Sequence, residues 1–431
     1  MKNRKALALI AILALVAAAC GGSDGGSEAE VEVETTEAPA TTEAPTTTAA
    51  PAPASDPLIL ASLMPLSGDL ASLGPGIALG AALAVEQINA AGGINGQPVQ
   101  LIEGDSGCDG AVALTSLNDV IAQGAQGVMG AACSSTSLAI LDTAIAAEVV
   151  MISPSNTSPQ FTKIDKKGFY ARTAPSDLLQ GDVLASLLVE DGVQTVSIIS
   201  RADSYGRGLA EATAAAFEAA GGTVKTIVYH ATDASEFTSE VTAVGKGGAD
   251  AIVGILFPET GCGVLQPAFE QGLLDTPWYM TDGVKDAGLA SLCGLGTALD
   301  GFKGTAPGSA AGEAKDAFEA AYAGVSADGS PTFIFAPQAY DAVMLMAISA
   351  AANGVTGPEI ASGLVAASSG GEKCIGVACI ALAADGVDVD YVGASGEIEL
   401  NAVGDPTAAT YDIWTTEGDT NPVLKSVDFG S

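Results

Sequence analysis

Across residues 56–431 the apolar positions fall into short continuous runs that alternate with longer runs at helical spacing. The first such unit extends from Ile59 to Gly96. A short apolar strand (Ile59–Leu63) passes through a Ser/Gly/Asp loop into a helix opened by Pro75. There Ile77, Ala81, Val85 and Ile88 share a face, and Gly92-Gly93 ends the run. The pattern repeats: strand Val99–Glu103, helix Gly110–Gln123 with Leu114, Leu117 and Ile121 on one side, strand Gly127–Gly130, helix from about Ser137 to Glu148, strand Val149–Ser153. Further on come helix Leu179–Glu190, strand Thr195–Ser200, strand Ala249–Phe257 and strand Pro277–Thr281. The stretch Pro337–Asn353, carrying Tyr340, Val343, Met344, Met346 and Ile348, is too apolar to be anything but core, and its Met pair is packing. Strands alternating with helices predict an α/β protein with doubly wound sheets, in which ligands bind at the carboxyl ends of the strands.

The segment before this body is of another kind. Lys2, Arg4 and Lys5 precede an uncharged apolar run, Ala6–Ala19, that is shorter than the ~20 residues of a membrane span. It reads as a secretory signal over 1–19. Val16-Ala17-Ala18-Ala19-Cys20 resembles a bacterial lipobox, although Ala17 stands where a bulkier residue is usual, and this makes Cys20 the candidate lipidated residue. Residues 20–55, rich in Gly, Ser, Thr, Glu, Ala and Pro and without an aromatic, are expected to be a disordered tether. Export, with acyl anchoring at the outer face of the cell membrane or a periplasmic location, follows as an expectation.

Charge narrows the partners. The chain has 51 acidic and 16 basic residues, a net of −35, with the acids mostly scattered singly. Such a surface repels nucleic acid and anionic lipid, so neither is an expected partner. Besides Cys20 there are six cysteines, Cys108, Cys133, Cys262, Cys293, Cys374 and Cys379. An even number in an exported chain argues for disulfides, and their order suggests local pairs, although six cysteines allow many connectivities. The rival metal reading lacks C-x-x-C spacing and has one histidine, His230, to draw on. No metal and no cofactor is expected.

Candidate chemistry gathers in the loops after strands. Ala131-Ala132-Cys133-Ser134-Ser135-Thr136-Ser137 feeds a helix whose first amides point into a hydroxyl-rich loop, a site suited to a carboxylate. Pro154-Ser155-Asn156-Thr157-Ser158-Pro159 follows the next strand. Either loop alone reads as an ordinary helix cap; after successive strands they form a donor-rich cup. A second lobe begins near Ser176. Its strand ends deliver Tyr205, then Phe257, Pro258 and Glu259, then Asp282-Gly283. Donors in one lobe face a carboxylate and aromatics in the other, the complement of a zwitterion with an apolar side chain.

LSG…G…AVEQINAAGGING in the first unit, DSGCDGA…GAACSS at 105–135, ISPSNTSP at 152–159, YGRG at 205–208 and TDGV at 281–284 together resemble the branched-chain amino-acid-binding family of solute receptors that feed ABC importers. The likeness covers the folded region, most strongly 62–210. It implies two Rossmann-like lobes joined by a multi-strand hinge, with lobe one over 56–175 plus 306–406 and lobe two over 176–305 plus 407–431. Gly301–Ala306 would return the chain to lobe one, and Thr410–Trp414 would pair back in lobe two. The resemblance also implies a Cys108–Cys133 disulfide. It places Ser134, Ser135, Ser155, Asn156 and Thr157 in the first-lobe ligand loops and Tyr205 in the second. Asp282 becomes the partner of an α-ammonium, with Glu259 as the alternative. Phe257 stands where a tyrosine is frequent; it can cover a ligand but offers no hydroxyl.

Enzyme readings find little support: no G-x-x-x-x-G-K-[ST], no G-x-S-x-G, and a GPGIALG that misses the dinucleotide spacing. His230 reads as a surface or cap residue. The expectation is a monomeric extracytoplasmic receptor that binds an amino acid between its lobes and passes it to an ABC permease. Open alternatives are a sensory receptor of the same fold, or a variant for urea or an amide.

Overall fold

The computed structural model describes residues 56–286, 288–330 and 333–429. The expected signal at 1–19, the candidate lipid site Cys20 and the tether at 20–55 lie outside the described residues.

The strand Ile59–Met64 shows how the body is built. Leu60 and Met64 pack into one core cluster while Ala61 and Leu63 pack into another on the opposite face. A strand buried on both sides needs apolar residues at consecutive positions, which is why its run is continuous. It lies in a five-stranded parallel sheet in the order Gln100–Asp105, Ile59–Met64, Gly127–Gly130, Val150–Ser153, Tyr170–Arg172. Helices Gly110–Ala122 and Ser134–Ala146 cover one face. Gly74–Ala90 and Ala336–Asn353 cover the other, the latter buried at every position from Ala336 to Ala350. Asp341 inside that helix accepts from the Tyr391 hydroxyl at 2.7 Å and from the backbone N–H groups of Ala394 and Ser395 at 2.7 and 2.8 Å. It thereby fastens a small three-stranded sheet (Glu372–Ile375, Val389–Gly393, Gly396–Glu397) to the core.

A second sheet of seven strands runs Val423–Phe429, Ala409–Thr415, Lys303–Pro307, Trp278–Met280, Ala251–Ile255, Thr195–Arg201, Thr223–His230. The last five are parallel, while Ala409–Thr415 and Val423–Phe429 join antiparallel at the edge. Lys303–Pro307 therefore belongs to the second sheet, where the sequence suggested a return to the first lobe. Its hydrogen bonds to Trp278–Met280 and Ala409–Thr415 hold it there, and the crossing follows it. The chain passes between the two sheets three times, at 173–176, 308–312 and in the segment 401–408. This is a two-lobed α/β architecture. Among the described residues no helix is long and apolar enough to cross a membrane.

The six cysteines of the described residues are paired as Cys108–Cys133, Cys262–Cys293 and Cys374–Cys379, with Cα atoms 5.4, 4.9 and 5.4 Å apart. His230 ends its strand fully buried, not at the surface. Its ring packs against Phe237, its Nδ1 lies 2.8 Å from the Ala231 carbonyl oxygen, and burial lowers its pKa.

Candidate functional site

The helix expected from about Ser137 begins three residues earlier, at Ser134, with Cys133 as its extended N-cap residue. Its N-terminus has no side-chain cap. The free amides of its first turn face the cleft between the lobes, where Ala132 and Ser134 line the wall. Ser155 lines the same wall from the next loop, its hydroxyl donating to the Ala132 carbonyl at 3.1 Å.

The opposite wall comes from the second sheet. Asp282 opens a short 3₁₀ turn after Trp278–Met280 and is 4% exposed. Its Oδ1 accepts from Gln180 Nε2 at 2.8 Å and from the Tyr205 hydroxyl at 2.9 Å. Burial pushes its pKa up to about 6, with those two hydrogen bonds pulling the other way. Tyr205 stacks on Phe257 at 5.4 Å between centroids, and the Phe257 ring also carries the Arg201 guanidinium 3.8 Å from its centroid. Gly283 leaves space that no other residue could: a Cβ there would meet the Leu256 carbonyl oxygen at 2.4 Å and the Phe257 ring at 2.9 Å.

Leu70, Leu73, Ile77 and Phe335 complete an apolar end. The space between these walls is narrow, about 350 Å³ in all. No Lys, Arg or His side chain lines it.

The lobes meet around this space. Ser135 Oγ lies 3.0 Å from Ser204 Oγ, and the Ser158 hydroxyl donates to the Ser204 carbonyl at 2.9 Å. Arg201 Nη1 donates to Asp69 at 2.8 Å. The Glu259 carboxylate accepts from the backbone amides of Leu70 and Ser72 at 2.8 and 3.1 Å. Tyr205–Gly208, expected to be a loop, opens the helix Ser204–Ala219, and Gly208 fits against Pro159, where a Cβ would come within 2.6 Å of the proline ring. The cleft is closed.

Of the residues expected to touch a ligand, Ser134, Ser155, Tyr205, Phe257 and Asp282 line the cavity; Ser135, Asn156 and Thr157 do not. Ser135 is turned outward to its partner across the lobes. Asn156 is a buried strut: its amide donates to the Ala132 carbonyl at 2.8 Å, and its Oδ1 accepts from Tyr170 at 2.9 Å. Thr157 is fully buried, its carbonyl oxygen accepting from the Asp177 amide at 2.8 Å. Glu259, the alternative acid, serves the seam.

Sequence reasoning missed Gln180, Arg201, and above all Arg172. The Arg172 guanidinium donates to Asp405 at 2.9 Å and to the carbonyls of Asn156 and Ser158 at 3.1 and 3.0 Å. It ties the loop at 154–159 to the third crossing. A lone base in the apolar stretch Phe169–Ala174 was the available signal.

The periplasmic binding protein family matches residues 57–373. An amino acid binding protein of Pseudomonas aeruginosa is 34% identical over 238 residues, 53% of this chain and 62% of that relative, so the alignment leaves over a third of the relative uncovered. The leucine-, isoleucine-, valine-, threonine- and alanine-binding protein of the same organism is 30% identical over 68% of this chain and 78% of its own. In structure, the branched-chain amino acid transporter substrate-binding protein LivJ of Streptococcus pneumoniae, solved with isoleucine, superposes with a TM-score of 0.73. It is 22% identical and is matched over 87% of this chain and 100% of its own.

Proposed function

Given that the chain belongs to the periplasmic binding protein family, we propose that it is an extracytoplasmic receptor for an α-amino acid with an apolar side chain. It closes its lobes on that ligand and delivers it to an ABC importer. The observation that carries this reading is an opposition across one closed cavity: the Asp282 carboxylate on one wall, the uncapped N-terminus of the Ser134–Ala146 helix on the other, apolar residues at the end. The helix amides would take the ligand carboxylate, helped by Ser134 and the backbone of Ser155. Asp282 would take the ammonium, and Leu70, Leu73, Ile77 and Phe335 the side chain, with Tyr205 and Phe257 as the lid. Nothing in this set activates a nucleophile or positions a general base, so its action is binding. A monomer held by a lipid on Cys20 suits delivery to a membrane permease.

A thermal-shift panel of all amino acids, urea, short amides and sugars tests it. A ligand at a hundredfold excess over Kd adds ~2.7 kcal/mol of stability. Stabilisation by aliphatic α-amino acids is expected. A response to amides or urea alone would discard the ammonium site, and silence across the panel would overturn the receptor reading.

A further inference from the structure

Behind the ammonium subsite lies a second carboxyl that the binding scheme does not use. Asp177 opens the helix Asp177–Glu190, one turn before Gln180, whose amide nitrogen grips Asp282. It is fully buried, and neither of its oxygens has a hydrogen-bond partner of ordinary geometry among the described residues; the Thr157 hydroxyl, itself unpartnered, is the polar group beside it and favours its charged form, against the larger effect of burial. Asp282 is its principal charged neighbour; the others are Arg172 and Asp203, with Tyr205 and Tyr411 facing both carboxyls. Arg172, the one cation in that set, is bonded to Asp405. The cavity wall supplies no positive side chain either.

Two carboxyls in one dry region, without a cation of their own, cannot both be ionised at moderate cost. We propose that Asp177 and Asp282 hold one proton between them in the unliganded protein, and that the ligand's ammonium expels it. The ammonium stays –NH₃⁺; a carboxyl O–H bond breaks, and its proton passes to solvent. Burial and the Asp282 charge both push the Asp177 pKa well above the ordinary range. The pair therefore titrates as a unit whose values belong to neither residue alone. Asp177, Gln180, Tyr205, Asp282 and Tyr411 all lie on elements of the second lobe, so the two carboxyls move together, while Thr157 and Arg172 reach Asp177 from the first lobe. Asp177 is thus a positioning residue: it touches no ligand, yet it sets the charge that the ammonium meets.

This inference rests on the amino-acid reading and deepens it. The test is titration calorimetry of the full chain with L-leucine, L-valine and L-alanine at pH 7, repeated in buffers of different ionisation enthalpy to count protons. Net release is expected from the wild type, approaching about one proton per ligand. It should be absent with 4-methylpentanoate, which lacks the ammonium, and largely lost in Asp177→Asn, where Asp282 alone is already ionised. A measurement free of any variant is the carboxylic-acid carbonyl band in difference infrared spectra, which should disappear on ligand addition. Asp282→Asn separates the two claims. If it loses binding while the wild type releases no proton, or while Asp177→Asn releases as many as the wild type, the shared proton is overturned and the receptor reading stands. If Asp282→Asn binds normally, or none of the three amino acids binds, the ammonium site itself falls, and this inference with it.

Discussion

The Tyr205 hydroxyl donates to Oδ1 of Asp282 at 2.9 Å while the Tyr205 ring lies against Phe257. One side chain therefore does two jobs, and they can be separated. Tyr205→Phe keeps the stacked wall and removes one donor from the carboxylate; a cost of about 1 kcal/mol in amino-acid affinity is expected. Asp282→Asn, which leaves a buried ammonium without a counter-charge, should cost ~2 kcal/mol or more. Calorimetry with the tightest amino acid of the panel gives both values.

Stability should respond to pH in the reverse of the usual carboxylate sense. Burial raises Asp341 from 3.8 to about 6, and it raises the Asp177–Asp282 pair as well. Between those values the folded state binds more protons than the unfolded chain, so this contribution to stability grows as pH falls through the window and is lost as pH rises through it. Asp105, Asp191 and Asp405 are held below the ordinary value by hydrogen bonds and neighbouring cations, and their contribution is lost only under more acid conditions. His230, whose pKa burial lowers, works the other way in the same window, one group against the raised carboxyls; the ligand-free protein should accordingly melt at a higher temperature at pH 5 than at pH 7. A melting series across that range checks the sign.

The seam between the lobes sets how long a ligand stays. Glu259→Ala releases the amides of Leu70 and Ser72 and removes a contact present only when the cleft is closed. Ligand dissociation should quicken about fivefold, equivalent to ~1 kcal/mol, with association nearly unchanged. Stopped-flow fluorescence resolves the two rates.

Arg172 is the strut to break for the opposite outcome, a loss of fold and not of grip alone. Arg172→Leu strands the carbonyls of Asn156 and Ser158 and takes from the buried Asp405 carboxylate its nearer cation, leaving Lys166 at 3.6 Å and the Thr162 hydroxyl. A loss of ~3–5 kcal/mol is expected by denaturant unfolding.

Reducing the Cys108–Cys133 bond, which joins the loop after Gln100–Asp105 to the head of the Ser134–Ala146 helix, should cost ~2–4 kcal/mol. Unfolding of a Cys108→Ala/Cys133→Ala variant against wild type measures it.

The elements that bury apolar residues at a regular period were legible in the chain. Ile59–Met64, Gly127–Gly130 and the Ala336–Asn353 core helix fall within a residue or two of expectation, because period and burial are local properties. The cavity wall was half legible. Tyr205 and Asp282 stand out as a polar group and an aromatic at strand ends. Ser135, Asn156 and Thr157 share the composition of Ser134 and Ser155, and only the helix start at Ser134 decides which hydroxyl faces inward. Gln180 and Arg172 were hidden for another reason: their partners, Asp282 and Asp405, are 102 and 233 residues away. The outermost strand, Val423–Phe429, is mostly exposed and has no apolar period to reveal it.

That outermost strand has a consequence for how the protein comes into being. Lys303–Pro307 sits mid-sheet only because residues 409–429 arrive to flank it, and the five-stranded sheet, complete by Arg172, waits for Ala336–Asn353 to cover its second face. Neither lobe can finish on its own while the chain is still emerging. A chain halted near residue 400 would present an unpaired strand edge to its neighbours, so synthesis must run past residue 429 before the fold is safe from aggregation.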